Sequence, residues 1–100
     1  MRAIKVKFPF VDAQVMRLLH PETFSAPTIP ELEELKIGDF VKVCPDCDMS
    51  ERFWVTVIKI EGEKVIGKVA NYLVCTDMHG LFRDDVIKFE KKNIYAIDSK

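Results

Sequence analysis

Several things are scarce in this chain, and each scarcity narrows what it can be. Only 4 of its 100 residues are glycine, and none of them builds the glycine-rich turn that cradles phosphates, so P-loop and dinucleotide-binding chemistry is excluded. There is no excess of either charge: 15 Lys+Arg stand against 16 Asp+Glu for a formal charge of −1. That balance argues against the simplest nucleic-acid binder, which is basic overall, and gives no reason to expect attraction to anionic lipid. Long hydrophobic runs are missing too. The best, Phe53 to Ile60, already includes Thr56 and Lys59 and falls far short of the ~18 apolar residues of a membrane-spanning helix. The opening Met1-Arg2-Ala3-Ile4-Lys5-Val6-Lys7-Phe8 alternates apolar and basic residues without the apolar stretch of a signal peptide. A cytoplasmic protein with no membrane partner is expected. Cysteine is rare and odd in number, at 3, so a closed disulfide framework would leave one thiol over; reduced thiols or metal ligands are the expected state.

What is present is a core. Hydrophobic residues make up 48% of the chain and charged residues 31%, which places it among globular rather than disordered proteins. A chain of this length buries roughly 60–70% of its unfolded surface, enough for a single domain over residues 1–100. Residues 1–10 read as a strand with Ile4, Val6 and Phe8 on one face, stopped by Pro9. Asp12 can cap a short helix in which Val11, Val15, Leu18 and Leu19 form one apolar stripe, ending at His20-Pro21. Three prolines between positions 21 and 30 make an extended connector. Thr28-Ile29-Pro30-Glu31 then has the pattern of a capping box with proline in the first turn.

After Gly38 the texture changes to short strands: Phe40 to Val43, Phe53 to Ile60, Val65 to Ala70, Val86 to Phe89 and Ile94 to Ile97. Glu61-Gly62-Glu63-Lys64 is a hairpin loop. In the longest strand Trp54, Thr56, Ile58 and Ile60 fall on one face and Phe53, Val55 and Val57 on the other, so both faces are apolar and the second requires a cover. The N-terminal strand and helix are the expected cover. The fold class is therefore α+β: a small SH3-like antiparallel β-barrel of about five strands over residues 35–97, preceded by an N-terminal strand, short helix and connector over residues 1–34.

Two groups of residues could carry function. Cys44-Pro45-Asp46-Cys47 followed by Cys75-Thr76-Asp77-Met78-His79 provides C-x2-C and C-x3-H, four ligands suited to a tetrahedral zinc that would be structural, because four protein ligands leave no open position. The plainer reading packs Cys44 and Cys75 as small hydrophobes at strand ends and leaves Cys47 and His79 facing solvent. A thioredoxin-type role fits less well, since that motif sits at a helix N-terminus and this one lies between strands. Cys75 and His79 as nucleophile and base lack an orienting motif or an oxyanion donor. In the second group, Arg52 and Trp54, with Asn71 and His79 at neighbouring loop ends, form a candidate binding surface, because an aromatic beside an arginine is a common interface pairing. The plainer reading is that Trp54 belongs to the core and Arg52 to a solvated flank. Lys88-Phe89-Glu90-Lys91-Lys92 and the basic residues Arg2, Lys5 and Lys7 are locally positive, offset by Glu31, Glu33, Glu34, Asp84 and Asp85.

Read in order, Leu35-Lys36-Ile37-Gly38-Asp39-Phe40-Val41-Lys42-Val43, Glu51-Arg52-Phe53-Trp54-Val55, His79-Gly80-Leu81, Asp85-Val86-Ile87-Lys88-Phe89 and Asn93-Ile94-Tyr95 resemble the uncharacterised bacterial and phage family catalogued as domain of unknown function 2314, or YegJ-like. The resemblance covers about residues 20–97 and includes His20-Pro21-Glu22-Thr23-Phe24. It implies a small β-rich domain and no particular reaction. The family pattern has Gly-Asp where this chain has Asp84-Asp85, and does not include the Cys44-Pro45-Asp46-Cys47 pair. Together these features lead to the expectation of a non-catalytic binding module, associated with phage or with defence, whose partner is a protein or small ligand. A nucleic-acid-binding SH3-like or OB-like barrel is the alternative, and a zinc-stabilised accessory domain a further one.

Overall fold

The structure, a computed structural model, describes residues 9–22, 26–46, 52–71 and 81–98. Two short helices precede a five-stranded antiparallel sheet: α1 (Ala13–Leu19), α2 (Ile29–Glu33), β1 (Phe40–Val43), β2 (Phe53–Glu61), β3 (Lys64–Val69), β4 (Val86–Glu90) and β5 (Ala96–Asp98), with a 3-10 turn at Lys91–Asn93. The strand order is β4-β3-β2-β1-β5. The sheet is open, with β4 and β5 at its two edges, where the sequence predicts closure into a barrel. Among the described residues no helix is long and apolar enough to cross a membrane.

Local chemistry explains where the elements begin. The Asp12 side chain accepts from the Val15 N–H at 3.1 Å and caps α1, and His20, just before Pro21, donates its N–H back to Met16 O at 2.9 Å to finish it. The capping box is complete: Glu31 N–H donates to Thr28 Oγ1 at 3.3 Å, and Thr28 N–H donates to Glu31 Oε1 at 2.9 Å. The bond from the Thr28 backbone, and after it one that the Thr28 hydroxyl donates to the same Oε1 at 3.0 Å, hold the Glu31 carboxyl below its ordinary pKa. Between β2 and β3, Glu61 pairs with Lys64, leaving a two-residue loop in which Gly62 takes a φ of 62°, a conformation glycine adopts without cost.

The inner face of the sheet carries the core. Val41, Val43, Phe53, Val55, Val57, Val65, Val69, Ile87 and Phe89 are buried there, joined by Leu32 of α2 and by Leu35. Phe10 closes one end, its ring edge-on to Phe53 and Phe89 with centroids 6.5 and 6.1 Å away. A smaller cluster of Ala13, Cys44 and Tyr95 joins α1 to the end of β1.

Four expectations are corrected. The apolar stripe of α1 is not core: only Ala13 is buried, while Val15, Leu18 and Leu19 are 44%, 81% and 66% exposed. Leu32 of α2 and Phe10 pack against the inner core and Ala13 of α1 packs at the end of β1, so the described part of the expected cover is not seen over the middle of the second face of β2. Strict alternation along β2 fails because the register with β3 shifts between Val57 and Lys59; the resulting bulge returns Ile60 to the core side, where it packs against the main cluster. The last strand begins at Ala96 rather than Ile94, because Asn93 and Ile94 complete the 3-10 turn and Ile94 N–H bonds back to Lys91 O. Of the strand predicted over residues 1–10, residues 1–8 lie outside the described residues, and Phe10 makes only an isolated bridge to Pro45.

Candidate functional site

A concavity opens between α1 and the end of β1. It has a volume of about 400 Å³, within the usual range of roughly 300–1,000 Å³ for ligand pockets. Val11, Val15 and Met16 form its apolar wall, Cys44 and Tyr95 lie opposite, and Asp12, Asp46 and Arg52 supply charge around it. Four separate chain segments contribute. The α1 cap places Asp12 at the rim, where it faces Lys92 Nζ at 3.9 Å. The N–H of Asp46 donates to Pro9 O at 2.7 Å and that of Val11 donates to Cys44 O at 2.8 Å, which clips the N-terminal segment to the end of β1.

Tyr95 is 6% exposed, and its N–H donates to Lys42 O at 2.8 Å. The Arg52 guanidinium carbon sits 4.4 Å from the centre of its ring, a cation–π contact that holds Arg52 across one side of the opening. Burial pushes the Tyr95 phenol above its ordinary pKa; Cys44 adds to this, Arg52 opposes it, and Asp46 and Asp12 raise it further. The phenol thus stays protonated through the neutral range and can act as a hydrogen-bond donor. The Cys44 thiol is 4% exposed and donates to Pro45 O at 3.6 Å. An apolar wall, a neutral phenol, a guanidinium and two carboxylates suit the capture of an apolar group with polar neighbours.

The residues singled out in the sequence do not form one site. Arg52 joins the cavity through Tyr95. Trp54 points away from the main core, half-buried, with Lys42 Nζ 4.8 Å from the centre of its ring. It is therefore not the core residue of the plainer reading; Lys42 covers its ring, while Arg52 covers that of Tyr95. Asn71 stays beside Trp54: its Oδ1 accepts from the Trp54 N–H at 2.7 Å, a bond that secures the end of β2. His79, Cys47 and Cys75 lie outside the described residues, so of the four proposed zinc ligands only Cys44 is placed. Among the described residues no group of three or more His, Cys, Asp or Glu could hold a metal ion.

Sequence reasoning missed Met16, Asp46 and Tyr95 as cavity residues and treated Asp12 only as a cap. The one available signal was the surplus of apolar residues on a seven-residue helix with a single buried position. Compared with protein-family models, with curated proteins and with solved structures, the chain matches none.

Proposed function

We propose that this chain is a non-catalytic binding module whose partner is a protein, and that the cavity between α1 and β1 receives an apolar side chain of that partner. One observation carries the reading: the apolar wall of the cavity does not stop at its rim. Val15 lines the opening, and Leu18 and Leu19, at i+3 and i+4 from it, continue the same helix face into solvent. A small ligand would fill the cavity and leave those leucines wet, whereas a protein segment covers both. Arg52, Asp12 and Asp46 at the margin fit the polar rim of such an interface. The SH3-like reading of the fold belongs to the same proposal, supported by the strand order and by the 3-10 turn between β4 and β5.

The test is selection of a displayed random-peptide library on the whole chain, followed by affinity measurement on Leu18→Glu and Leu19→Glu. Both positions are exposed, so these variants keep the wild-type melting temperature. Enriched peptides with an apolar anchor that lose at least tenfold in affinity for each variant support the reading. Failure to enrich any peptide, or unchanged affinity for both variants, rejects it.

A further inference from the structure

We infer that the outer face of the sheet, turned away from the main core, docks single-stranded nucleic acid, with Trp54 as the stacking platform and Lys42, Lys68 and Lys88 as phosphate contacts. This surface and its ligand are separate from the α1 cavity and from the protein partner proposed for it.

The pairing register gathers these residues from four strands. Lys42 on β1 is directly opposite Trp54 on β2, and Phe40 on β1 is opposite Thr56, which is opposite Lys68 on β3. Lys88 on β4 is opposite Ile66. Buried residues at alternate positions place their neighbours Phe40, Lys42, Trp54, Thr56, Ile66, Lys68 and Lys88 on the far side from the core. The near-neutral whole chain hides how charge is distributed on this face. Its acids Glu61 and Glu90 lie at the hairpin end, where Glu61 faces Lys59 at 4.0 Å and Glu90 binds Lys64 at 2.7 Å. Around Trp54 the neighbouring charges are mostly ammonium groups. Lys68 faces Asp84 only at 4.0 Å, with both side chains well exposed, and Asp98 lies beside Phe40 at the sheet edge.

The position of Lys42 favours this ligand over others. Its ammonium covers the indole, the surface a base would stack on. An exposed cation–π contact is weaker than a base stacked on an aromatic ring, so an incoming base takes the lysine's place and the released ammonium meets the adjoining phosphate. No charge is stranded in that exchange. A protein partner suits the face poorly, because lysine is depleted from protein interfaces. A duplex suits it poorly as well, since paired bases offer no exposed ring to stack on Trp54.

Trp54 is the only tryptophan in the chain, so intrinsic fluorescence reports on this face alone. The experiment titrates the whole chain at low salt with a labelled thymidine oligonucleotide of about 12 nucleotides, inside the ~4–16 site-size range of comparable surfaces. Binding should quench the tryptophan, and the logarithm of affinity should fall with the logarithm of salt at a slope of about −2, the value for three phosphates on a single strand. The exposed pair Lys68→Glu with Lys88→Glu should weaken binding at least tenfold at unchanged melting temperature. The inference is overturned by any of three results: no quench and no anisotropy change, binding of the oligonucleotide with unperturbed tryptophan, or equally tight binding of a duplex or of inorganic polyphosphate.

Discussion

Gly67 sits on β3 where no side chain fits, which makes Gly67→Ala a sharp test of how the core is packed. A Cβ built there would collide with Val55 Cγ1, lie 2.9 Å from the backbone oxygen of Thr56 and 3.4 Å from Phe89 Cε1. The first obstacle can change rotamer only against a full core, and the second is backbone that moves only with the strand. Overpacking of this kind costs about 1–3 kcal/mol; the lower chain entropy of alanine in the unfolded state returns roughly 0.4–1 kcal/mol. A net loss of about 1–2 kcal/mol follows, equal to a fall in Tm of about 4–16 °C for a domain of this size. The assay is thermal and urea unfolding followed by circular dichroism on four proteins: wild type, Gly67→Ala, Val55→Ala and the double variant. Val55→Ala alone removes two buried methyl groups at ~0.8 kcal/mol each, with a cavity cost added. In the double variant the new Cβ occupies part of the space that Cγ1 vacates, so the combined loss should fall short of the sum by at least ~0.5 kcal/mol. Relief is incomplete because Thr56 O remains. Additive losses would refute the assignment of Val55 as the obstacle, and a Gly67→Ala protein as stable as wild type would refute the packing argument altogether.

Other perturbations follow from single contacts. Asn93 is buried, donates to Phe10 O and Val11 O at 3.3 and 3.2 Å, and accepts from Glu90 N–H at 2.8 Å; Asn93→Ala should cost about 1–3 kcal/mol and speed proteolysis near Phe10, and a variant with unchanged cleavage there contradicts the anchoring role. Asp84 holds a φ of 75°, so Asp84→Val should lower stability by about 1–2 kcal/mol whereas Asp84→Gly should not lower it, a contrast that paired melting curves decide. Glu90 titrates below its ordinary pKa, first through the hydrogen bond from Lys64 and then through that lysine's charge. Its contribution to stability is therefore present above the unfolded-state value and lost as pH falls through the lower folded-state one. In Lys64→Met the Glu90 carboxyl should titrate higher by NMR, and an unmoved titration would show that the pair does not form in solution.

Legibility in the sequence followed the range of the physics involved. The Asp12 cap, the Thr28 capping box, the Gly62 hairpin and all but the last strand's start could be read because each depends on residues a few positions apart. Apolar periodicity showed that α1 has a stripe, but the pattern Val15, Leu18, Leu19 is the same whether the stripe faces a core or a partner, and the core was already filled by Phe10, Leu32 and Leu35. Ile60 was assigned to the wrong face because a bulge is a property of two strands in register, invisible in one. The cavity was the least legible feature, since Tyr95, Arg52, Cys44 and Met16 meet only when four segments have converged. Asp84 had only a weak local signal, since aspartate is among the few non-glycine residues that tolerate a left-handed backbone.

The bonds from Asn93 to Phe10 and Val11 span 83 and 82 positions of a 100-residue chain, which gives the fold an order in time. During synthesis the segment carrying α1 emerges well before Asn93, one of its anchors. The β2–β3 hairpin, joined by two loop residues, can form while the C-terminal third is still being translated. Until residue 93 leaves the ribosome, the segment with Val15, Leu18 and Leu19 is held only by its clip to the end of β1, and the cavity it borders has no Tyr95 to complete it. The cavity of this protein thus comes into existence only once Tyr95 has joined it.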